Sequence, residues 1–438
     1  MKRKTLLFII CLMTITNLFA QVYRIPEGKQ IYIPNDLKDN DFTDDNSEWS
    51  YYRMAYTDNI VVFWQKGFGH DLSNPPQLEG HDMSVDLDNL LEKLEYFYTF
   101  YRDKLKFVLP GSKSEKYRMM VMLNYSLEGT AYGGDYDGEI GALWISPNRV
   151  KDKTLNCIAH ELGHSFQSQI MADGTGEAWG GGGIFEMTSQ WMLWNVNPNW
   201  VTDENYHWRG FIDHFNKRFL DGENIYHSPY VLEYWSYKHG ITVMGDLFRA
   251  GKRGEDPAMT YMRVFNLSLD QMADEMYDCY SRLLTFDFPR VKDTHKQYAC
   301  DLVTKAERVE IKKEEDSSNT LYTIVRPTEE QRPGTYGFNV IELLLKGKKQ
   351  TVEFKGVEGD NIGYRYGIVL VDFDKNPTYL PVYKDVHKKF KFKPKKNTNR
   401  AFLVVVGCPT KKYEPFTWHR RGNDNAKEAE YPYEVILR

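Results

Sequence analysis

From Asp152 to Met171 the apolar residues Leu155, Ile158, Leu162, Phe166 and Ile170 recur at three- or four-residue steps, the spacing of an amphipathic helix. A second run with the same period, Ile184, Phe185, Met187, Trp191, Met192 and Trp194, follows a stretch of glycines, Gly180 to Gly183, that lets the backbone turn tightly. Upstream, strands are expected near Tyr51–Ala55, Ile60–Trp64 and Tyr117–Asn124, with a helix from Asp86 to about Lys104. Ile140 to Ser146 alternates well enough for an edge strand. Ahead of it, Tyr132 to Gly138 reads as a flexible rim whose acids belong to a turn rather than to a calcium site. Another helix is expected over Val231 to His239, His239 serving as a C-terminal cation.

The pattern changes near residue 300. Beyond it lie only short strand-like runs, among them Val340–Leu345, Thr351–Phe354, Gly367–Phe373 and Ala401–Gly407, separated by turn residues. Lys388 to Lys396 interleaves Phe390 and Phe392 at period two, a strand with a solvated lysine face. The expected fold class is α+β: an N-terminal β layer followed by a helical part over 21–305, then an antiparallel β-sandwich over 306–438 that folds around its own core.

The start, Met1-Lys2-Arg3-Lys4 followed by an apolar run to Phe19 and Ala20, has the order of a secretory signal peptide cleaved after Ala20, which points to a secreted or periplasmic protein. No later stretch is apolar for long enough to span a bilayer. The formal net charge of -5 argues against nucleic acid as a partner. Cys11 leaves with the signal. Cys157, Cys279, Cys300 and Cys408 remain, without zinc-finger spacing, and Cys279 with Cys300 is a candidate disulfide. Tryptophan and tyrosine crowd into residues 179–237, which reads as an aromatic core before it reads as a sugar-stacking wall. The sequence leaves the oligomeric state open.

On the first amphipathic helix stands His160-Glu161-Leu162-Gly163-His164. Residues four apart share a helix face, so both imidazoles can reach one Zn2+, while Glu161, one position round, is kept off the metal and near an activated water as general base. A catalytic zinc needs a third protein ligand. Glu186, on the second periodic run, is a better candidate than Glu177, which lies in a glycine-rich loop. These residues, with Ser189-Gln190-Trp191, resemble the gluzincin zinc metallopeptidases, and more closely an uncharacterised group of secreted bacterial HExxH proteins with a C-terminal β-domain. The resemblance implies a zincin-like catalytic part, His160, His164 and Glu186 as zinc ligands, and Glu161 as base. It also implies a histidine or tyrosine donor near Tyr226-His227-Ser228-Pro229-Tyr230, for which His227 and Tyr230 are the candidates. Many gluzincins carry an aspartate four residues after the ligand glutamate, where this chain has Gln190, an amide able to orient a histidine with less charge. The expected function is peptide-bond hydrolysis on a polypeptide or glycoprotein. The alternative is a zinc-binding but inactive protein that holds a glycan or glycoprotein through the cleft and the sandwich.

Overall fold

The computed structural model describes residues 23–176, 183–315, 317, 321–347, 349–416 and 428–438. The expected signal peptide and Glu177 lie outside them.

Three sheets and ten helices are formed by the described residues. The first sheet has the order β1-β2-β3-β5-β4, from β1 (Met54–Tyr56), β2 (Ile60–Trp64), β3 (Met119–Leu123), β4 (Ala131–Tyr136) and β5 (Ile140–Ile145). Its centre is parallel, β2 with β3 and β3 with β5, and both its edges pair antiparallel. The centre is covered on both faces, so β2 (Ile-Val-Val-Phe-Trp) and β3 (Met-Met-Val-Met-Leu) are apolar without alternation. The edge is not Ile140–Ile145, as the alternation suggested, but β4, whose Tyr-Gly-Gly-Asp content had read as a loop.

The helices are α1 (Leu87–Asp103), α2 (Asn156–Ala172), α3 (Gly183–Val196), α4 (Trp200–Asp203), α5 (Asn205–His214), α6 (Tyr230–His239), α7 (Val243–Ala250), α8 (Pro257–Val264), α9 (Leu269–Leu283) and α10 (Lys292–His295). Asp86 caps α1 by accepting from the Asn89 amide, and Ser268 with Gln271 forms a capping box on α9. Helix α2 starts later than its apolar spacing suggests, because Leu155 adopts a left-handed conformation at its N-cap. It lies directly on β4 and β5. The Ser165 hydroxyl donates to the Ala142 carbonyl at 2.7 Å, and the Gln169 Oε1 accepts from the Gly141 amide at 2.9 Å. Such closeness requires glycine: a Cβ on Gly133 would stand 1.8 Å from the Glu161 carbonyl oxygen. On the other side of α2, a Cβ on Gly163 would meet the Ser189 hydroxyl of α3 at 2.9 Å.

The C-terminal region has two sheets. One has the order β11-β10-β13-β8, from β8 (Phe338–Glu342), β10 (Gly363–Asp372), β11 (Pro377–Tyr379) and β13 (Thr398–Cys408). The other has the order β12-β9-β14-β7-β6, from β6 (Val309–Glu315), β7 (Leu321–Pro327), β9 (Gln350–Gly356), β12 (His387–Phe392) and β14 (Tyr433–Leu437). All their pairings are antiparallel. The two sheets enclose a core of their own, and one of them also packs against the helices. Along β13, Ala401, Leu403 and Val405 face a second core between the two sheets, whereas Phe402, Val404 and Val406 face the main core shared with the helices. Tyr280 of α9 stacks on Phe338 at 3.9 Å and donates its hydroxyl to the Tyr336 carbonyl. Asp256, the N-cap of α8, is buried and accepts from the Tyr413 hydroxyl and the Phe416 amide. All four described cysteines are free thiols, so Cys279 and Cys300 are not paired.

Candidate metal centre

Helices α2 and α3 cross so that three ligand atoms converge. His160 Nε2 and His164 Nε2 lie 3.1 Å apart, and Glu186 Oε2 lies 3.1 Å from each. Among the described residues, this is the one cluster of three such side chains able to hold a metal ion. Three vertices of a tetrahedron with zinc–nitrogen bonds of about 2.0–2.1 Å stand about 3.3–3.4 Å apart, so the donor set fits a zinc ion in both chemistry and spacing. Glu177, the weaker candidate ligand, lies outside the described residues.

The tautomers follow from the partners. Each Nδ1 faces an amide oxygen and donates to it: His160 Nδ1 to Gln190 Oε1 at 3.2 Å, and His164 Nδ1 to Gln167 Oε1 at 3.0 Å, which leaves each Nε2 turned to the cluster, where it would be the atom to hold a cation. Both amides are fixed in turn. Gln167 Nε2 donates to the Phe185 carbonyl and the Ser189 hydroxyl of α3, and Gln190 Nε2 donates to the Tyr226 carbonyl and to His207 Nε2. His207 Nδ1 then donates to His227 Nδ1 at 2.8 Å. His227 therefore stands at the far end of a His160–Gln190–His207–His227 chain. Burial, with the neighbouring His207 and His214, pushes its pKa down to about 4.

Glu161 stays off the cluster, and its Oε2 accepts from the Gly133 amide of β4 at 2.8 Å. Burial raises its pKa above the usual carboxylate value against the opposing pull of both histidines. Glu186 is held well below the usual range: burial opposes this, but hydrogen bonds from His160 and His164 outweigh it. Burial alone would lower His164, yet the Glu186 hydrogen bond and charge leave it raised.

The Tyr226–Tyr230 segment divides differently from the expectation. Tyr230 is fully buried against Trp194, Trp208, Phe211 and Phe286, and its hydroxyl has no hydrogen-bond partner among the described residues, which is a packing position. Tyr226 is the tyrosine at the cluster. Its ring stacks on His160 at 6.1 Å and its hydroxyl hydrogen-bonds to Glu186, while burial and that carboxylate push its pKa up to about 12. Sequence reasoning missed Tyr226 and His207. Tyr226 adjoins His227 in the segment already singled out, whereas nothing in the sequence marks His207.

A family model described as "Family of unknown function (DUF6055)" matches residues 24–438. The chain belongs to that family. No curated protein matches it. Among solved structures it is similar to a ZmpB metallopeptidase from Clostridium perfringens, with 15% identity, a TM-score of 0.31, and coverage of 83% of this chain and 67% of that one. It is also similar to the M60 catalytic domain of Clostridium perfringens ZmpC in complex with the sialyl T antigen, with 14% identity, a TM-score of 0.30, and coverage of 83% and 67%. A xylan-binding domain of carbohydrate-binding family 22 matches 30% of this chain and 81% of its own length at 11% identity and a TM-score of 0.17. Scores this low carry no argument about fold or function, and the reading of the site rests on its own geometry.

Proposed function

We propose that the chain is a zinc-dependent peptidase acting on polypeptides or glycoproteins. The observation that carries this reading is the convergence of His160, His164 and Glu186 beside a half-buried carboxylate, Glu161, that is tied to β4 and not to the cluster. Zn2+ held there would supply Lewis acidity, activating a water and polarising the scissile carbonyl. Glu161 takes the proton from the attacking water and returns it to the leaving amine, a role suited to a carboxyl whose pKa burial has raised. The Gly133 amide keeps the Glu161 side chain turned toward β4, so the base does not become a fourth ligand. Tyr226 takes the part of hydrogen-bond donor to the developing oxyanion, because its hydroxyl stays protonated and already reaches Glu186. His227 positions His160 through His207 and Gln190 and does not touch substrate. The outer edge of β4, unpaired among the described residues, suits an extended substrate strand. No helix among the described residues is long and apolar enough to cross a membrane, and the N-terminal sequence suits export of the chain to its substrate.

The test combines zinc analysis with digestion of unstructured proteins and matched glycosylated and bare substrates. Glu186→Ala should lose most of the metal. Glu161→Gln should keep it and lose turnover by several orders of magnitude. Equal cleavage by wild type and Glu161→Gln would end the mechanism. Tight zinc binding with no cleavage across the panel would favour the inactive binding protein that the amide at Gln190 had suggested.

A further inference from the structure

Strand β12 carries phenylalanine on one side and lysine on the other. Phe390 and Phe392 are buried in the core between the two C-terminal sheets, so Lys389 and Lys391, at the alternate positions, point to the outer face, where both are exposed. Lys393, next in that alternation, is exposed just beyond the strand. Lys349, the residue before β9, is exposed beside it, because the register pairs Phe392 with Gln350. Successive lysines of the row are about 6.6–6.8 Å apart along the backbone.

The rest of this face is balanced. On the neighbouring strands Lys355 and Arg326 both pair with Glu434, Arg438 pairs with Glu353, and Lys312 pairs with Glu314. None of Lys349, Lys389, Lys391 and Lys393 has an ion pair among the described residues; on β12 it is Lys388, on the inner side, that pairs, with Asp385. Glu353 lies opposite Lys389 in register, but it is 3.6 Å from Arg438 and is one acid between two cations. A chain with a formal net charge of -5 therefore gathers uncompensated positive charge along the outermost strand of one sheet. Lysine on an edge strand also keeps sheets from pairing edge to edge, but that purpose does not call for Lys349, which lies off the strand.

A regular row of ammonium groups on an exposed sheet face fits a linear polyanion, whose bound counterions it would release. Single-stranded nucleic acid would want aromatic faces for its bases, and the outer side of β12 and β9 has no phenylalanine, tyrosine or tryptophan. Membrane-surface elements pair their lysines with an apolar face that enters the lipid, whereas the apolar side of β12 is buried in the core. We propose that the outer face of β12 binds an acidic polysaccharide, its repeating carboxylate or sulfate groups meeting Lys389, Lys391, Lys393 and Lys349. The surface shares no residue with the metal cluster, and the proposal would survive failure of the peptidase reading.

Titration of the full chain with polygalacturonate and with dextran sulfate, at low and at physiological salt, tests it. Uncharged dextran, a single-stranded oligonucleotide and anionic phospholipid vesicles are the comparison arms. At least one of the two acidic polymers should bind, with an affinity that falls as salt rises, and dextran should not; the polymer that binds identifies the acidic group. Lys389→Gln with Lys391→Gln should weaken binding about tenfold. Lys312→Gln with Lys355→Gln removes the same charge from matched positions on the same face and should leave affinity within about twofold. No binding of either polymer, equal weakening by the two double variants, or tighter binding to the oligonucleotide or the vesicles would each overturn the proposal. Self-association of Lys389→Gln with Lys391→Gln at unchanged polymer affinity would also overturn it, reducing the row to edge protection.

Discussion

The contact that positions the proposed base can be broken with one methyl group. Gly133 of β4 has an ordinary backbone conformation, so Gly133→Ala meets no local strain, only helix α2. The added Cβ would stand 1.8 Å from the Glu161 carbonyl oxygen and 2.9 Å from the His164 Cβ. Close carbon–oxygen contacts settle at about 3.3–3.6 Å, so β4 and α2 must separate by about 1.5 Å at this point. That separation stretches the 2.8 Å hydrogen bond from the Gly133 amide to Glu161 Oε2 beyond any useful length. Overpacking of a close interface costs about 1–3 kcal/mol, and a lost hydrogen bond to a charged group about 1.5–3 kcal/mol. The expected total is about 2.5–6 kcal/mol, read as a lowered midpoint in urea denaturation. Gly134→Ala is the control: the nearest atoms to its Cβ would be those of the movable Tyr132 ring, at 3.1 Å, and it should cost under about 1 kcal/mol. Activity should fall in Gly133→Ala beyond what its unfolded fraction explains, since Glu161 loses its tether. If Gly133→Ala is as stable as Gly134→Ala, α2 does not lie against β4 as described, and the placement of the base fails with it.

Residues 306–438 expressed alone should not give a soluble monomer with a cooperative melt, because Phe338, Phe402, Val404 and Val406 would lose the helical side of their core; gel filtration and circular dichroism check this, and a monomeric, cooperatively melting fragment would refute it. Tyr230→Phe should leave turnover unchanged and be neutral or stabilising, since the buried hydroxyl it removes has no partner among the described residues. Tyr226→Phe should keep zinc and stability but lower kcat, and unchanged kcat would remove its hydrogen bond from the mechanism.

What the sequence disclosed follows from how local each feature is. The zinc helix announces itself because its ligands are four residues apart and its apolar stripe has one period; Glu186 is legible because it lies on a periodic run of its own. The edge strand was misassigned because β4 carries Gly133 and Gly134, weak strand formers that are there for the helix lying on them, a long-range demand that no local preference expresses. Tyr230 drew attention by residue type, but whether a tyrosine faces a site or a core is decided by α5, α6 and the residues around Phe286, far apart in sequence. The composition change near residue 300 marks a change of secondary structure. It does not mark the packing boundary, since alternate residues of β13 serve two cores.

Gln190 looked like a weakness when seen beside the aspartate common at its position in gluzincins, but its neighbours give it a different sense. A carboxylate offers only acceptors, and here the group behind His160 faces one donor and two acceptors. His160 Nδ1 needs an acceptor, while the Tyr226 carbonyl and the His207 Nε2 lone pair need donors. An amide meets all three at once. An aspartate would be shorter by one methylene and would set a negative oxygen against the Tyr226 carbonyl, the residue whose ring and hydroxyl lie at the cluster. Gln167 repeats the arrangement from the other helix, its oxygen on His164 and its nitrogen on α3. The two glutamines thus orient the histidines and lock α2 to α3 together, and they do so without a charge, which leaves more of a bound cation's field for the water and carbonyl before it.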